Sequence, residues 1–238
     1  MDLKGKRAVV TGASKGIGRA TALALAREGA HVAISARTES LLEKVAGEIA
    51  DLGSQAFPFV GDMSIEAEVT AFIREAAQNL GGIDILVNNA GMGIFKPIAE
   101  LTTGDWDTMF NLNVRGLFIA TREALPHLRK AGESVVVNVV SLAGKNAFVG
   151  GGGYAATKHA VLGFSRCLML EERKNGVRVL AICPGSVATH FSGDRHLQDP
   201  ERQKRITQPE DVAESILHMI RLPQRAMVSE IDIRPTNP

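Results

Sequence analysis

The sequence predicts an α/β domain: a doubly wound, mostly parallel sheet with helices on both faces. Three observations carry this reading. Short β-branched apolar runs alternate with longer amphipathic stretches from one end to the other, the pattern of repeated βα units. A glycine-rich turn follows the first run directly and opens the first helical stretch. No internal repeat, low-complexity tract or Pro/Ser-rich linker divides the 238 residues, so one domain is expected over 1–238.

In chain order, the runs that read as strands are residues 8–11, 32–35, 56–60, 85–88, 135–140, 177–183 and 228–233. Helical periodicity is clearest in 17–28, 39–52, 66–80, 114–129, 154–174 and 209–221. Seven strands and six helices fit a doubly wound sheet. The polar stretch 186–208, with Gly193 and Pro200, joins the sixth strand to the last helix. A connection of that length in an α/β domain reads as a lid or substrate loop.

Composition narrows the function classes. Apolar residues make up 45% and charged residues 22%, which disfavours disordered, collagen-like and membrane chains. A net charge of +1, without long charge runs, leaves no electrostatic footprint for nucleic acid or anionic lipid. The start, Met1-Asp2-Leu3-Lys4-Gly5-Lys6-Arg7, lacks the apolar stretch of a signal peptide, and no later segment has the ~18 uninterrupted apolar residues of a membrane span, so a cytoplasmic location is expected. Cys167 and Cys183 lack metal-ligand spacing and are expected to be buried thiols. The six histidines show no paired spacing, and no metal site is expected.

Chemistry begins at Thr11-Gly12-Ala13-Ser14-Lys15-Gly16-Ile17-Gly18, between the first strand and the first helix. Glycines let the backbone turn tightly and approach a pyrophosphate, while free N–H groups at the helix start favour its charge. The spacing is Gly-x3-Gly-x-Gly, not the usual Gly-x-Gly-x-x-Gly.

This opening resembles the signature of the short-chain dehydrogenase/reductase family, and later pieces fall in that family's order: Asp62, Asn88-Asn89-Ala90-Gly91, Asn113, Ser141, Tyr154-x-x-x-Lys158 and Pro184-Gly185. The resemblance covers essentially the whole chain and implies a Rossmann-type fold. It also implies NADP(H) or NAD(H) as cofactor, a small-molecule carbonyl or alcohol as substrate, and a homo-oligomer, dimer or tetramer. At the end of the second strand an NAD enzyme places Asp or Glu on the ribose 2′-hydroxyl, but here stand Ala36 and Arg37. Arg37, with Lys15 in the glycine loop, suits a 2′-phosphate, which points to NADP(H). By the same resemblance Asp62 meets the adenine, Met63 contributes backbone, and Asn89, Ala90 and Gly91 line the cofactor, whereas Asn88 ties adjacent strands. Pro184, Gly185, Val187 and Thr189 are similar to the stretch that fixes the nicotinamide.

Reducing a carbonyl by hydride transfer builds negative charge on oxygen, so the site needs a proton donor and a group that holds the oxygen. Tyr154 is the only tyrosine, and Lys158 follows one helical turn later on the same face. An ammonium beside a phenol favours the phenolate, so Tyr154 is expected to serve as acid in reduction and base in oxidation. Ser141 resembles the family serine that bonds the substrate oxygen. Asn113 is similar to the asparagine that holds a water in a relay with the lysine.

The run Gly150-Gly151-Gly152-Gly153 is read as flexible rather than chemical, and Trp106 with Met109 as packing. Similarity to 3-oxoacyl-(acyl-carrier-protein) reductases and related NADP-dependent carbonyl reductases is tempered by the tail: Glu230-Ile231-Asp232-Ile233 replaces a Val-Asp-Gly-Gly ending. A non-catalytic NADP-binding regulator or scaffold on the same fold is the alternative, since fold does not fix function. A turnover assay with NADPH and a panel of ketones separates the two.

Overall fold

The computed structural model describes residues 1–189, 191, 199, 203 and 205–236. In chain order these form β1 (Arg7–Thr11), α1 (Gly16–Arg27), β2 (His31–Ala36), α2 (Glu39–Asp51), β3 (Ala56–Val60), α3 (Glu66–Leu80), β4 (Ile85–Asn88), α4 (Thr103–Phe110), α5 (Leu117–Ala131), β5 (Ser134–Val139), α6 (Gly152–Glu172), β6 (Val177–Pro184), α7 (Pro209–Arg221) and β7 (Glu230–Ile233). The strands make one sheet in the order β3-β2-β1-β4-β5-β6-β7. Every pairing in it is parallel.

Successive side chains of a strand face opposite ways, and the core divides accordingly. Ala8 and Val10 pack with Val32, Ile34, Val87 and Val137 under α1, α2 and α7. Val9 packs with Ala33, Leu86, Val136 and Val179 under α3, α5 and α6. The order reverses direction between β1 and β4, so the loops after these strands diverge to opposite sides and open a crevice at their carboxyl ends.

The seven expected strands all form, and the six expected helices lie within a few residues of their expected bounds. Three expectations need correction. An additional helix, α4, occupies Thr103–Phe110; Thr102 and Asp105 close a reciprocal cap at its start, with Asp105 N donating to Thr102 Oγ1 at 3.0 Å and Thr102 N to Asp105 Oδ2 at 3.2 Å. Cys167 is exposed, and only Cys183 is buried. The glycine run shows close packing in place of a reason for flexibility: a Cβ at Gly151 would strike the Phe148 ring, one at Gly152 would strike Ile98, and one at Gly153 would strike Met109. Of the expected loop 186–208, residues 190, 192–198, 200–202 and 204 lie outside the described residues. Among the described residues, no helix is long and apolar enough to cross a membrane, and no cluster of three or more His, Cys, Asp or Glu is placed to hold a metal.

Candidate active site

The crevice is built by loops locked to one another through backbone groups. Thr11, the last residue of β1, accepts at its hydroxyl from the backbone N–H of Asn89 and of Ala90, both at 3.0 Å. Asn89 returns its side-chain amide to the carbonyls of Thr11 at 3.0 Å and Gly12 at 2.9 Å. The loops after β1 and β4 are thereby held as one surface. Gly12 has φ +66°, and a Cβ there would lie 2.8 Å from Ala90 Cα, so only glycine fits on both counts. At Gly18 a Cβ would overlap the Gly12 carbonyl and the Asn89 amide. Between these glycines, Lys15 begins α1 without a side-chain cap, and no acidic residue stands in the first turn. Uncapped amides and the positive end of the helix dipole therefore face the crevice alongside Ser14, Gly16 and Ile17.

Further along the crevice, Asp62 accepts from Ser64 N at 2.9 Å and from Ser64 Oγ at 2.8 Å, which fixes the turn after β3. Arg37, just past β2, is 72% exposed at its side chain and lies 3.9 Å from Asp62. Met63 is buried, and its carbonyl sits where a Cβ on Gly116 would be. On the other side, Pro184 ends β6, Gly185 N donates to Ile233 O at 2.8 Å, and Thr189 N donates to Val187 O at 2.8 Å. Thr189 Cγ2 would be 3.1 Å from a Cβ on Gly16, so the last cofactor segment meets the first.

The sheet also brings the expected catalytic group together. Ser141, in extended backbone after β5, accepts from Ala143 N at 3.1 Å. Tyr154 and Lys158 lie on adjacent turns of α6, with Lys158 Nζ 5.7 Å from the centre of the Tyr154 ring. Burial pushes the Tyr154 phenol up to about 12, and hydrogen bonding with the Ser141 side chain pulls against it. Burial lowers Lys158 to about 8, and its ammonium donates to Val139 O at 3.0 Å. The lowering of the Tyr154 pKa expected from Lys158 does not emerge in the cofactor-free protein: burial outweighs the Ser141 hydrogen bond, and the phenol stays protonated near neutral pH.

Asn113 lies in a π-helical turn, Asn111–Gly116, between α4 and α5. Its amide donates to Met92 O at 2.8 Å and Thr157 Oγ1 at 3.0 Å, and its carbonyl accepts from Met92 N at 2.8 Å. A Cβ on Gly91 would be 3.3 Å from Asn113 Oδ1 and 3.7 Å from Lys158 Nζ, which places these three together. Asn88 ties strands, as expected. Its amide donates to Asn138 Oδ1 at 2.9 Å and Thr121 Oγ1 at 3.0 Å, and Asn138 donates in turn to Ser165 at 2.8 Å.

Sequence reasoning passed over Phe95 and Phe191, whose rings meet Tyr154, and Phe148, which meets Phe95; isolated phenylalanines in loops have no periodicity to reveal a shared destination. It also missed Thr157, which accepts from Asn113 and donates to Tyr154 O at 2.7 Å.

A parallel sheet with a glycine cradle at its switch point and a Ser, Tyr and Lys group beyond it defines a dinucleotide-dependent oxidoreductase. The short chain dehydrogenase family model matches residues 6–199, and the chain belongs to that family. It is 37% identical over 98% of its length to a glycine betaine reductase of Emericella nidulans, of which it spans 19%. Among solved structures, an alcohol dehydrogenase of the archaeon Thermococcus sibiricus, complexed with 5-hydroxy-NADP, superposes with a TM-score of 0.91 at 32% identity, over 98% of this chain and 97% of that one. A 3-ketoacyl-(acyl-carrier-protein) reductase of Brucella melitensis, complexed with NADH, superposes with a TM-score of 0.88 at 32% identity, over 98% of each.

Proposed function

We propose that this oxidoreductase moves a hydride between NADP(H) and a carbonyl or secondary alcohol, with Ser141, Tyr154, Lys158 and Asn113 as its catalytic group. The convergence of Ser141, Tyr154 and Lys158 beside the glycine cradle is the observation that carries the reading. The residues present fit a dinucleotide: the uncapped start of α1 suits the pyrophosphate, and Arg37 with Lys15 suits a 2′-phosphate. When bound, the nicotinamide supplies the hydride to the carbonyl carbon in reduction and accepts it in oxidation.

Ser141 holds the substrate oxygen through its hydroxyl, and Tyr154 gives its phenolic proton to that oxygen as the C–O bond becomes an alcohol. The buried Lys158 ammonium stabilises the phenolate left behind, then helps return a proton to it. Asn113 keeps the Met92 loop and Thr157 in place around both side chains. The expected substrate is a small ketone, a 3-hydroxyacid or a 3-oxoacyl compound, and a homo-oligomer in the cytoplasm is the expected setting. Following NADPH absorbance over a panel of ketones tests the reading. No turnover of any carbonyl compound, with NADPH shown to bind, would sink it in favour of a non-catalytic binding protein.

A further inference from the structure

Three loops leave the carboxyl ends of the adjacent strands β4, β5 and β6, and each contributes one phenylalanine to a ring cluster beside Tyr154. The Phe95 ring is edge-on to Tyr154 at 5.4 Å, and Phe191 lies 5.5 Å from the same tyrosine. Phe95 also meets Phe148 at 5.9 Å and Phe191 at 6.4 Å, so it touches every other ring of the group. All three phenylalanines remain substantially exposed, at 42% for Phe95, 47% for Phe148 and 39% for Phe191. Large apolar side chains left open together on a soluble domain mark a surface that something apolar covers.

The backbone is shaped around these rings. A Cβ on Gly93 would come within 2.6 Å of Phe95 Cζ, and one on Gly151 would enter the Phe148 ring. Met92, Ile94, Leu101 and Met109 pack with Tyr154 in one apolar cluster. Two charged side chains flanking the rings are already paired, Lys96 with Asp105 at 2.8 Å and Lys145 with Asp232 at 2.7 Å. The ring cluster beside Tyr154 thus presents aromatic carbon, and these two lysines bring it no free charge.

We propose that Phe95, Phe148 and Phe191 form the substrate-recognition wall of this enzyme, selecting a carbonyl compound that carries an uncharged aryl or bulky apolar group, with Phe95 as the specificity-determining residue. This narrows the function proposed above and rests on it. Ring edges and faces offered at these distances gain from a further aromatic ring, while a carboxylate set against them would give up hydration to aromatic carbon.

The test compares kcat/KM for acetophenone, acetoacetate and betaine aldehyde with NADPH. The last is included because aromatic faces also attract quaternary ammonium groups. Acetophenone is expected to exceed both others by about tenfold or more. Phe95→Ala should cost about tenfold with acetophenone, mainly in KM, and Phe95→Leu should recover part of it, with NADPH affinity unchanged in both. Preference for acetoacetate or betaine aldehyde, or a Phe95→Ala loss equal for all three compounds, would overturn the proposal. Calorimetric titration of acetophenone into the NADP-loaded Tyr154→Phe protein separates this idea from the reaction itself. Binding there that Phe95→Ala weakens supports the wall even where no compound is turned over, and absence of binding overturns it.

Discussion

Asn113 grips Met92 from both sides, its amide donating to the Met92 carbonyl and its own carbonyl accepting the Met92 N–H, each at 2.8 Å. A side-chain amide is the group that does this, because it carries a donor and an acceptor in one plane. The grip fixes the loop that contributes Gly91 and Phe95, and a third bond, to Thr157, anchors it to the helix carrying Tyr154.

Replacing that amide by a carboxylate sets oxygen against oxygen at Met92. Asn113→Asp should therefore lose about 1–3 kcal/mol of stability, the cost of a buried group left without its partner. It should also lower kcat/KM more than NADPH affinity, because the loop it releases lies on the substrate side. Denaturant unfolding measures the first effect and steady-state kinetics the second; a variant indistinguishable from wild type in both would show that the loop is held by other contacts.

Tyr154→Phe removes the proton donor and keeps the ring that packs against Phe95 and Phe191. Turnover should fall by about 10²-fold or more while NADPH binds nearly as before. The wild-type pH profiles should differ by direction. With burial pushing the phenol up to about 12, reduction finds the proton in place at neutral pH, whereas oxidation needs the phenolate and should speed up as pH rises. Activity of the variant within a few-fold of wild type would assign the proton to another group.

Burial of Lys158 should make the cofactor-free protein less stable near neutral pH, and the sign follows from its titration. Lowering from 10.5 to about 8 on burial corresponds to about 3 kcal/mol. Below about 8 both states carry the proton, and the folded state bears the whole cost of the buried charge. Between about 8 and 10.5 the unfolded chain holds a proton that the folded chain has released, so stability rises with pH. Lys158→Met, of similar length, should stabilise the cofactor-free protein by up to about 3 kcal/mol at pH 7, with the advantage fading toward alkaline pH. Paired unfolding curves at neutral and alkaline pH test this, and a less stable variant at neutral pH would show that the bond to Val139 outweighs desolvation.

Much of this was legible in the chain because local pattern and final position coincide there. The five central strands are short apolar runs buried on both faces, and the glycines at 12 and 18 stand where a Cβ would collide, so spacing alone revealed them. Helix α4 was harder to see, since eight residues with one buried side chain give little periodicity. Its signal was the Thr102 and Asp105 pair at capping distance. The aromatic wall was not legible, because Phe95, Phe148 and Phe191 meet only through the parallel order of β4, β5 and β6. The direction of the Tyr154 and Lys158 shifts also escaped, because adjacency on a helix says nothing of how deeply both are desolvated.

Cofactor choice turns on two residues at the end of β2. Ala36 supplies no carboxylate for a ribose 2′-hydroxyl, and the Arg37 guanidinium stands largely in solvent, 3.9 Å from Asp62. At that distance the pair is loose, and a 2′-phosphate with close to two negative charges competes for the guanidinium through charge-assisted bonds. Such bonds contribute roughly 1.5–3 kcal/mol when well formed, and exposure places this one at the lower end, which still corresponds to about tenfold. NADPH should therefore exceed NADH by at least about tenfold in kcat/KM, and added salt should weaken NADPH binding more than NADH binding. Ala36→Asp with Arg37→Ala should reverse the order, because the new carboxylate accepts from a free 2′-hydroxyl and repels a phosphate. Ala36 is only 7% exposed, so the double variant should also lose stability, which its unfolding curve records separately from its preference. Equal kcat/KM values for the two cofactors on the unmodified protein would mean that Arg37 stays with Asp62 and solvent when the nucleotide binds.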